Sequence, residues 1–476
     1  MRKTMVIAII IVSMTAFSGF VRIAPGGKHF EHNNEPLVLL GFNDGLPWPS
    51  LAPLASGNIS AGERYFKELS DRGVNVLRIM FEYSQGRHNL FAFENPLWEV
   101  NPVVVQIWDD IVMLAEKYGI YLIITPWDPF WAYENWDVNP YNIANGGTIE
   151  SMRDFLTDPD TVENAIQRFK FMIDRYGESE KILAWELNNE IELWYGRIFH
   201  KPDPVNAREI NEWIETISTF IRNYEIEKFG EARLITVSTA APAVTGALAR
   251  VLYDFTHIDF VTTHFYYDTI KTYSDPYRIA RDVVMNINYH NYLFEDSVPF
   301  FDSESGPIDR WPQLPANDIA CYSAFSWAHL ASGGTGIGMR WPYTTPHRMP
   351  TYLLDIIEAI SRFVKSPGID WLDFTGVNLD DLTSYTSEKP IFLTNSADRS
   401  SDFAQIIGYA IAESGDIGEI EILFKELPEA TFVFEAWDTR SGEVFCTTES
   451  EPSDNLVSVS LYVDALEFAF KLYEKE

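Results

Sequence analysis

The chain has 476 residues, which is more than one ordinary compact domain holds and enough for a large domain plus a smaller one. Apolar residues make up 46% and charged residues 22%, which excludes a disordered acidic chain and a collagen-like or low-complexity chain. The 36 basic and 69 acidic residues give a formal net charge of −33. Nucleic acids and anionic membrane surfaces are therefore poor partners, whereas a neutral polysaccharide meets no repulsion.

The amino-terminal segment has the order of features that a secretory signal peptide has. The basic residues Arg2 and Lys3 precede an apolar run over residues 5–16, and small residues follow this run. The run is shorter than the roughly 20 residues that span a bilayer, although an uncleaved anchor is the alternative interpretation. We expect residues 1–18 to be a signal peptide and the mature protein to be secreted, extracellular or periplasmic, with no membrane association.

Between about residues 37 and 341, short apolar runs alternate with segments whose apolar residues recur at helical spacing. Eight runs have the length of strands. In chain order they are Leu37–Phe42, Val74–Met80, Tyr121–Pro126, Ile182–Leu187, Leu234–Ser238, Phe260–His264, Pro299–Asp302 and Gly336–Trp341. Strands that alternate with helices imply a parallel α/β sheet, and eight units favour a (β/α)8 TIM barrel over an open doubly wound sheet. We assign residues 19–366 to this catalytic barrel.

After residues 366–368 the pattern changes to short strand-like runs that are separated by turn residues. The runs are Ile407–Ala412, Glu419–Phe424, Thr431–Trp437 and Val457–Val463. We expect residues 369–476 to form a smaller C-terminal β-sandwich domain that packs on the barrel.

The sequence carries few signals for metal or covalent-serine chemistry. The two cysteines, Cys321 and Cys446, allow at most one disulfide, and we expect none. The 9 histidines are scattered and no HExxH motif occurs, so we expect no metal and no cofactor. No GxSxG motif supports a serine hydrolase.

Two of the predicted strands end in carboxylates, at the edge where a parallel barrel carries its active site. The fourth leads into Asn189-Glu190, and the seventh leads into Asp302 and Glu304. Each carboxylate also fits a helix N-cap or first turn, and Asp302 is an alternative to Glu304. Two carboxylates about 5–5.5 Å apart are what retaining glycoside hydrolysis requires, whereas a gap of about 6.5–9.5 Å leads to inversion.

The sequence AWELNNE at residues 184–190 resembles the acid/base strand of clan A glycoside hydrolases, in particular the endo-β-1,4-mannanases of glycoside hydrolase family 5. Arg78 matches that family's arginine at the end of the second strand. His264 and Tyr266 match its His-x-Tyr motif on the sixth strand, and Glu304 falls where the family keeps its nucleophile. These motifs are short, but they occur in the family's order along the eight predicted strands.

The resemblance implies a double-displacement mechanism that uses two glutamates. Glu190 is the expected general acid and then general base, with a raised pKa. Glu304 is the expected nucleophile, which forms a glycosyl-enzyme intermediate. Arg78 and Tyr266 are expected to stabilise the charge of Glu304, although Arg78 by itself also fits a structural role in a barrel.

The resemblance also implies contacts with the substrate. Asn189 is expected to bind the sugar's 2-hydroxyl group, and His264 to lie near the cleaved bond; a core histidine is the alternative for His264. Trp127 and Trp131 lie on an aromatic-rich loop after the third strand, and Trp341 ends the eighth. Each fits a platform for a pyranose ring or, alternatively, packing within the loops themselves.

The predicted function is therefore a secreted retaining β-glycoside hydrolase that acts on a β-1,4-linked polysaccharide, with mannan as the first choice. Cellulose, another β-glucan and exo-action on shorter chains are alternatives within the same clan. A non-catalytic, carbohydrate-binding barrel is the alternative of another class, and the presence of both Glu190 and Glu304 argues against it. The sequence indicates neither an oligomeric state nor a role for the C-terminal domain.

Overall fold

A computed structural model describes residues 19–82, 91–196, 204–267, 275–294, 298–307, 315–342, 347–379, 381–398 and 405–475. The predicted signal peptide, residues 1–18, lies outside the described residues. Within the described ranges, no helix has both the length and the apolar character needed to cross a membrane.

A small antiparallel sheet precedes the barrel. It consists of β1 (Arg22–Ile23), β2 (Phe30–His32) and β3 (Glu35–Leu37), with β2 in the centre. The ring of Phe30 is fully buried and contacts the ring of Phe260, with centroids 5.2 Å apart. Both rings belong to an apolar cluster formed by the amino ends of the barrel strands, so this sheet closes the end of the barrel opposite the predicted active site.

The barrel strands run parallel to one another and follow chain order around the barrel. They are β4 (Gly41–Asp44), β5 (Val76–Met80), β6 (Tyr121–Thr125), β7 (Ile182–Glu186), β8 (Leu234–Thr236), β9 (Ser238–Thr239), β10 (Val261–Tyr266) and β11 (Phe300–Gly306). Only Val237 separates β8 from β9, so these two pieces form the fifth barrel strand. Arg340 forms parallel bridges with both Phe42 and Ser305 and so occupies the eighth position. This closure confirms the predicted α/β barrel.

The described residues contain nine α-helices, several of which begin with proline at the first turn after an Asn or Asp cap. The side chain of Asn101, for example, accepts a hydrogen bond from the backbone N–H of Val103, and Asp158 caps the next long helix in the same way. The helices are α1 (Ile59–Asp71), α2 (Pro102–Tyr118), α3 (Pro129–Glu134), α4 (Pro159–Tyr176), α5 (Pro204–Phe229), α6 (Gly246–Leu252), α7 (Pro276–Leu293), α8 (Pro315–Ala331) and α9 (Thr351–Lys365).

Several predicted strand bounds are wrong. The eighth predicted strand, Gly336–Trp341, is reduced to bridges at Arg340, and the sixth ends at Tyr266 and not at His264. The first barrel strand is not Leu37–Phe42 but β4, because Leu37 pairs with Phe30 in the amino-terminal sheet. The seventh does not stop at Asp302, because hydrogen bonding to the neighbouring strand continues through Gly306. Glu304 therefore lies within a strand and not in a loop after it.

The C-terminal part consists of two antiparallel sheets. The strands are β12 (Val377–Asn378), β13 (Thr383–Ser387), β14 (Ile391–Asp398), β15 (Gln405–Ala412), β16 (Gly418–Phe424), β17 (Phe432–Trp437), β18 (Val444–Ser450), β19 (Val457–Val463) and β20 (Glu467–Glu474). Six of them form a sheet in the order β12-β14-β15-β20-β17-β18, and β13, β16 and β19 form the other. Both sheets contribute side chains to one apolar cluster. The four predicted runs correspond to β15, β16, β17 and β19.

The larger C-terminal sheet packs against helix α8 of the barrel. Tyr409 of β15 belongs to the same apolar cluster as the barrel core. Across this contact, the hydroxyl group of Ser323 donates a hydrogen bond of 2.7 Å to the carboxylate of Glu467. Cys321 lies in α8 and Cys446 in β18, and no disulfide joins them.

Candidate active site

The side chains predicted from the sequence converge at the carboxyl end of the barrel. Strands β10 and β11 pair in parallel with His264 opposite Glu304 and Thr263 opposite Asp302, so Ser303 is an extra residue in β11. A bulge of this kind redirects the side chains that follow it. Here it turns Glu304 to the same side as His264.

The bulge separates the two carboxylates that the sequence left as alternatives. The Oδ1 atom of Asp302 accepts hydrogen bonds from Thr263 Oγ1 at 2.7 Å and from Asn286 Nδ2 of α7 at 3.1 Å. Burial raises the pKa of Asp302 to about 7. Asp302 therefore faces the surrounding helices, and Glu304 faces the barrel axis.

Arg78 is at the centre of a buried hydrogen-bond network. Its Nε and Nη2 atoms donate to both oxygens of Glu186, at 2.5 and 2.7 Å, and its Nη1 donates to Glu304 Oε1 at 2.8 Å. The side-chain oxygens of Asn43 and Asn189 accept further bonds from Arg78 at 2.8 and 2.7 Å. Burial raises the pKa of Glu186, but the charge and hydrogen bonds of Arg78 outweigh burial and leave that pKa below its ordinary value. Arg78 thus stabilises two carboxylate charges at once.

Glu190 and Glu304 face each other across a short gap. A carboxylate oxygen of Glu190, a carboxylate oxygen of Glu304 and a ring nitrogen of His264 all lie within 4.8 Å of one another. His264 Nδ1 is 2.6 Å from Glu190 Oε1 and 3.4 Å from Glu304 Oε2. The hydroxyl group of Tyr266 donates to Glu304 Oε2 at 2.5 Å. One oxygen of each carboxylate thus lies within 4.8 Å of the other, which favours the retaining arrangement of about 5–5.5 Å over the inverting one of about 6.5–9.5 Å.

Burial shifts the pKa of Glu190 and of two groups beside it, His264 and Tyr266. Burial and, second, the negative charge of Glu192 together raise the pKa of Glu190 to about 8. Burial also lowers the pKa of His264 to about 4, so its imidazole is neutral near pH 7. The pKa of Tyr266 lies well above its ordinary value because of burial and the charge of Glu304. At neutral pH the site therefore holds a proton on Glu190 and a hydrogen-bond donor at Glu304.

The backbone of Glu190 is in the left-handed region, with φ 42° and ψ 54°. Residues other than glycine adopt this conformation at a cost and keep it only where the surroundings fix it. The N–H of Glu190 donates to Ser238 Oγ at 3.1 Å, and the N–H of Asn189 donates to the carbonyl of Trp127 at 3.1 Å. These bonds, to Ser238 in β9 and to Trp127 just after β6, hold the backbone that positions the Glu190 carboxyl group.

Asn189 connects Arg78 to Asp128, a carboxyl group that was not among the predicted site residues. While its oxygen accepts from Arg78, its Nδ2 donates to Asp128 Oδ1 at 3.0 Å. Burial raises the pKa of Asp128 well above its ordinary value, and the charges of Glu190 and Glu304 act in the same direction. Asp128 is thus a second carboxyl group at the site that is favoured in its protonated form.

Three of the residues that complete the network were missed, although a signal for them exists. Asn43, Asp128 and Glu186 all lie at or just after the carboxyl end of a barrel strand. A polar residue at that position of an apolar run is the feature that selected Glu190. Applied to every predicted strand, the same rule would have found all three.

The predicted aromatic platforms lie at the same end of the barrel but differ in exposure. Trp341 contacts the ring of Trp48, with centroids 5.0 Å apart, and lies in one cluster with Tyr266. Trp131 and Trp127 line a small cavity of about 10 Å³ that also contacts Asp128. Trp127 is only 2% exposed, and its indole N–H donates to the hydroxyl group of Tyr141 at 2.9 Å. Contact of these tryptophans with substrate stays a prediction.

The gap between the glutamates is also the one group of three potential metal ligands in the described part of the chain, formed by Glu190, His264 and Glu304. The guanidinium group of Arg78 already lies 2.8 Å from Glu304. A metal ion would have to bind against the repulsion of this buried positive charge. The donor set therefore fits acid/base chemistry better than it fits a metal.

Comparison with known families gives a match over residues 42–318 to the model described as cellulase (glycosyl hydrolase family 5). The match spans more than half of the chain and includes Arg78, Glu190, His264 and Glu304. The chain belongs to glycosyl hydrolase family 5. Within this family-5 chain, the C-terminal sheets lie outside the matched range.

The similar curated proteins are mannan endo-1,4-β-mannosidases. Mannan endo-1,4-β-mannosidase 5 of Solanum lycopersicum is 26% identical over 226 residues, which are 44% of this chain and 49% of that protein. A probable mannan endo-1,4-β-mannosidase A of Aspergillus flavus is 34% identical over 125 residues, which are 25% of this chain and 28% of that protein. The family-5 chain thus spans about half, or less, of the length of the curated relatives it matches.

Solved structures share the fold at low sequence identity. A glycoside hydrolase has a TM-score of 0.61 at 14% identity and covers 96% of this chain and 97% of its own. A family 5 glycoside hydrolase from Bacteroides vulgatus scores 0.60 at 14% identity and covers 96% and 94%. A family 5 mannosidase from Rhizomucor miehei scores 0.50 at 18% identity and covers 68% and 86%. The first two extend over the C-terminal sheets as well as the barrel.

Proposed function

We propose that this family-5 chain is a retaining endo-acting β-glycoside hydrolase that cleaves β-1,4-linked mannan. One observation carries the proposal: carboxylate oxygens of Glu190 and Glu304 lie within 4.8 Å of each other. This closeness supports retention, in which the second carboxylate attacks the sugar directly, over inversion, which needs a wider separation for a water molecule.

In the first step, Glu304 attacks the anomeric carbon while Glu190 donates its proton to the glycosidic oxygen. The bond to the leaving sugar breaks, and an ester forms between the sugar and Glu304. Glu190 is then a carboxylate and takes a proton from a water molecule. The resulting hydroxide attacks the anomeric carbon, releases Glu304 and gives a product of unchanged anomeric configuration.

The surrounding residues prepare both glutamates for these roles. Arg78 and Tyr266 donate hydrogen bonds that stabilise the negative charge of Glu304 before it attacks. The same bonds stabilise this charge again when hydrolysis of the intermediate releases the carboxylate. The neutral imidazole of His264 is 2.6 Å from Glu190 Oε1 and fixes the orientation of its carboxyl group. Asn189 directly precedes Glu190 in the chain, and its oxygen accepts from Arg78. Its Nδ2 carries a second hydrogen besides the one donated to Asp128, which supports the proposal that the amide binds the sugar's 2-hydroxyl group.

The choice of mannan rests on the names of the relatives, which are mannan endo-1,4-β-mannosidases. Cellulose, a mixed β-glucan or exo-action on short chains are the alternatives. Purified protein is to be incubated with glucomannan, galactomannan, carboxymethylcellulose, xylan and aryl glycosides, and the product sizes resolved. Release of oligosaccharides of mixed length from the two mannans supports the proposal, whereas hydrolysis confined to another substrate contradicts the choice of mannan.

The mechanism is tested with Glu190→Gln and Glu304→Gln. Each variant is expected to lose several orders of magnitude of activity while the fold is retained, because each loses a group that reacts directly. The exposed Glu227→Gln variant is the matched control and should keep full activity. Azide should partly restore a Glu304→Gly variant. By NMR the first product should have the β configuration, and an α product would rule out double displacement.

We also infer that residues 1–18 are a cleaved signal peptide and that the two C-terminal sheets form a β-sandwich accessory domain. The order of basic, apolar and small residues supports the first inference, and the apolar cluster shared by the two sheets supports the second. The amino-terminal sequence of protein recovered from the culture medium tests the cleavage. A start near residue 19 is expected, and an intact start at Met1 would contradict it.

A further inference from the structure

A second pocket lies outside the active site, between the segment 93–100 and helix α4. Its volume is about 290 Å³, close to the lower end of the range of about 300–1,000 Å³ seen for small-molecule sites. Aromatic and polar side chains alternate around it; among them are Phe93, Trp98, Gln167, Lys170, Phe171 and Asp174. Neither Glu190 nor Glu304 contributes to its lining.

Trp98 stands at the rim of this pocket in a conformation that tryptophan rarely adopts. The N–H of Glu99 donates to the carbonyl of Pro96 at 3.0 Å, which makes Trp98 the third residue of a four-residue turn. Its φ is +73°, the value for which such turns normally use glycine. Despite this cost, the chain places a tryptophan there that is 48% exposed. Strained and exposed side chains of this kind concentrate at binding sites.

The turn is anchored to the barrel, so the backbone that carries the indole ring is held in place without a ligand. The buried carboxylate of Glu94 accepts from the N–H of Trp98 at 2.8 Å and from Asn164 Nδ2 of α4 at 2.8 Å. Arg168, which is also buried, lies 3.5 Å from the other oxygen of Glu94. A platform that is already ordered binds a ligand without the entropy cost of ordering it.

The charges around the pocket are paired, which favours a neutral ligand. Lys170 is 2.6 Å from Asp174, and Arg168 is 3.0 Å from Glu82 in addition to its contact with Glu94. The remaining polar groups are the side-chain amides of Asn164 and Gln167, which line the pocket together with the ring of Trp98. This combination matches a pyranose ring, which offers hydroxyl groups at its edge and C–H groups on its face.

We propose that the Trp98 pocket is a second glycan-binding site that takes one or two pyranose units of a neutral polysaccharide. The ring of Trp98 stacks on the sugar, and Gln167 with the Lys170–Asp174 pair binds its hydroxyl groups. The site goes beyond the proposed hydrolytic function, because its lining includes neither Glu190 nor Glu304.

The test uses the full chain with Glu304→Gln, which leaves glycan bound and uncleaved. Calorimetric titration with short oligosaccharides of mannan, cellulose and xylan gives the number of sites. Two sites per chain are expected for at least one of them, and one site after Trp98→Gly. Because glycine suits the turn, this variant should unfold at the same temperature or higher, so a lost site cannot be attributed to misfolding. The exposed Tyr462→Ala variant, which lies far along the chain in β19, should keep both sites.

A single site in the parent, or two sites that survive Trp98→Gly, would overturn the proposal. The outcome is separable from that of the hydrolytic function. If no glycan is cleaved by the native protein but a Trp98-dependent site is titrated, the proposed function fails and the second site stands. If mannan is cleaved and Trp98→Gly changes neither stoichiometry nor affinity, the second site fails and the function stands.

Discussion

Burial sets the protonation of Glu190 at the scale of a single residue. In the proposed mechanism Glu190 is the acid catalyst and must hold its proton, which the raised pKa of about 8 allows through neutral pH. The rate should therefore be level around pH 7 and fall as the pH rises through about 8, where Glu190 loses its proton. The measurement is kcat/KM on a soluble oligosaccharide between pH 5 and 10.

Glu192 provides the test of this assignment, because its charge is the second contributor to the pKa of Glu190. The Glu192→Gln variant keeps an oxygen that accepts from Thr239 Oγ1, 2.6 Å away, but loses the charge. The pKa of Glu190 should then fall, and the alkaline limb of the profile should move to lower pH. The control Glu227→Gln should leave the limb in place. A limb that stays fixed in Glu192→Gln would show that another group titrates there.

Tyr266 is the second prediction at this scale. Its hydroxyl group donates to Glu304 at 2.5 Å, and hydrogen bonds to charged groups contribute about 1.5–3 kcal/mol. Tyr266→Phe should therefore reduce kcat/KM by about 10- to 100-fold without loss of folded structure. Circular dichroism checks the fold, and Tyr462→Phe on an exposed strand serves as the control. An unchanged rate would mean that Arg78 alone stabilises the nucleophile.

At the scale of elements, strands were easier to predict than the positions where they end. Apolar β-branched runs mark a buried parallel strand, which is why β5, β6 and β7 match the sequence closely. The end of β11 was missed because the polar residues Ser303 and Glu304 look like a loop in sequence. Their hydrogen bonds come from the neighbouring strand, and nothing local in the sequence records that pairing.

The position of Glu190 illustrates the same limit. The sequence placed it correctly after the fourth strand, but not in a left-handed backbone conformation. That conformation depends on Ser238 in β9 and on Trp127, which lies just after β6. Local propensity predicts which element a residue ends, and tertiary contacts decide where its side chain points.

The ion pair between β5 and β7 carries a prediction about stability. Arg78 and Glu186 are almost fully buried and joined by two hydrogen bonds, and removal of one partner leaves a buried charge partly uncompensated. Glu186→Ala should reduce the free energy of unfolding by about 3–5 kcal/mol. Urea unfolding of both proteins measures the difference.

The matched control is Lys67→Ala, which removes an exposed ion pair with Asp71 on α1. Water screens that pair, so no measurable change in stability is expected. A Glu186→Ala protein that is as stable as the Lys67→Ala protein would show that Glu304 and Asn189 alone can compensate Arg78.

At the scale of the whole molecule, a buried lysine joins the two parts. Lys471 of β20 donates to the carbonyl groups of Ser366 and Pro367, at 3.0 and 3.1 Å, in the link that follows α9. Its ammonium group also lies 4.7 Å from the ring centre of Phe363. Burial lowers the pKa of Lys471 from its ordinary value of 10.5 to about 7.

This pKa predicts how stability depends on pH. Between pH 7 and 10.5 the folded protein has released the Lys471 proton while the unfolded chain keeps it, so stability rises with pH in that window. Lys471→Met removes the contribution. The difference in unfolding free energy, wild type minus variant, should therefore increase by up to about 1.4 kcal/mol per pH unit. Urea unfolding at pH 7, 8.5 and 10 measures it, and a constant difference would contradict the assignment.

The overall architecture was largely predictable, because both parts have their own sequence pattern. Helix-spaced segments between strands predicted the barrel, and the change after residue 368 predicted a separate β-rich part. The packing of the two parts on each other was expected, but the residues that make the contact were not predictable. Ser323 and Glu467 are 144 positions apart and meet through side chains that each look ordinary in sequence.

The contact between the barrel helices and the C-terminal strands limits how far the protein can be shortened. Tyr409 and Trp437 of the C-terminal strands belong to the same apolar cluster as the barrel helices. The barrel and the C-terminal part therefore share a core and are not independent domains joined by a linker. A protein truncated after residue 368 would expose apolar side chains of α8 and α9 to water. A shortened form of this protein should therefore lose residues from its loops and keep both parts together.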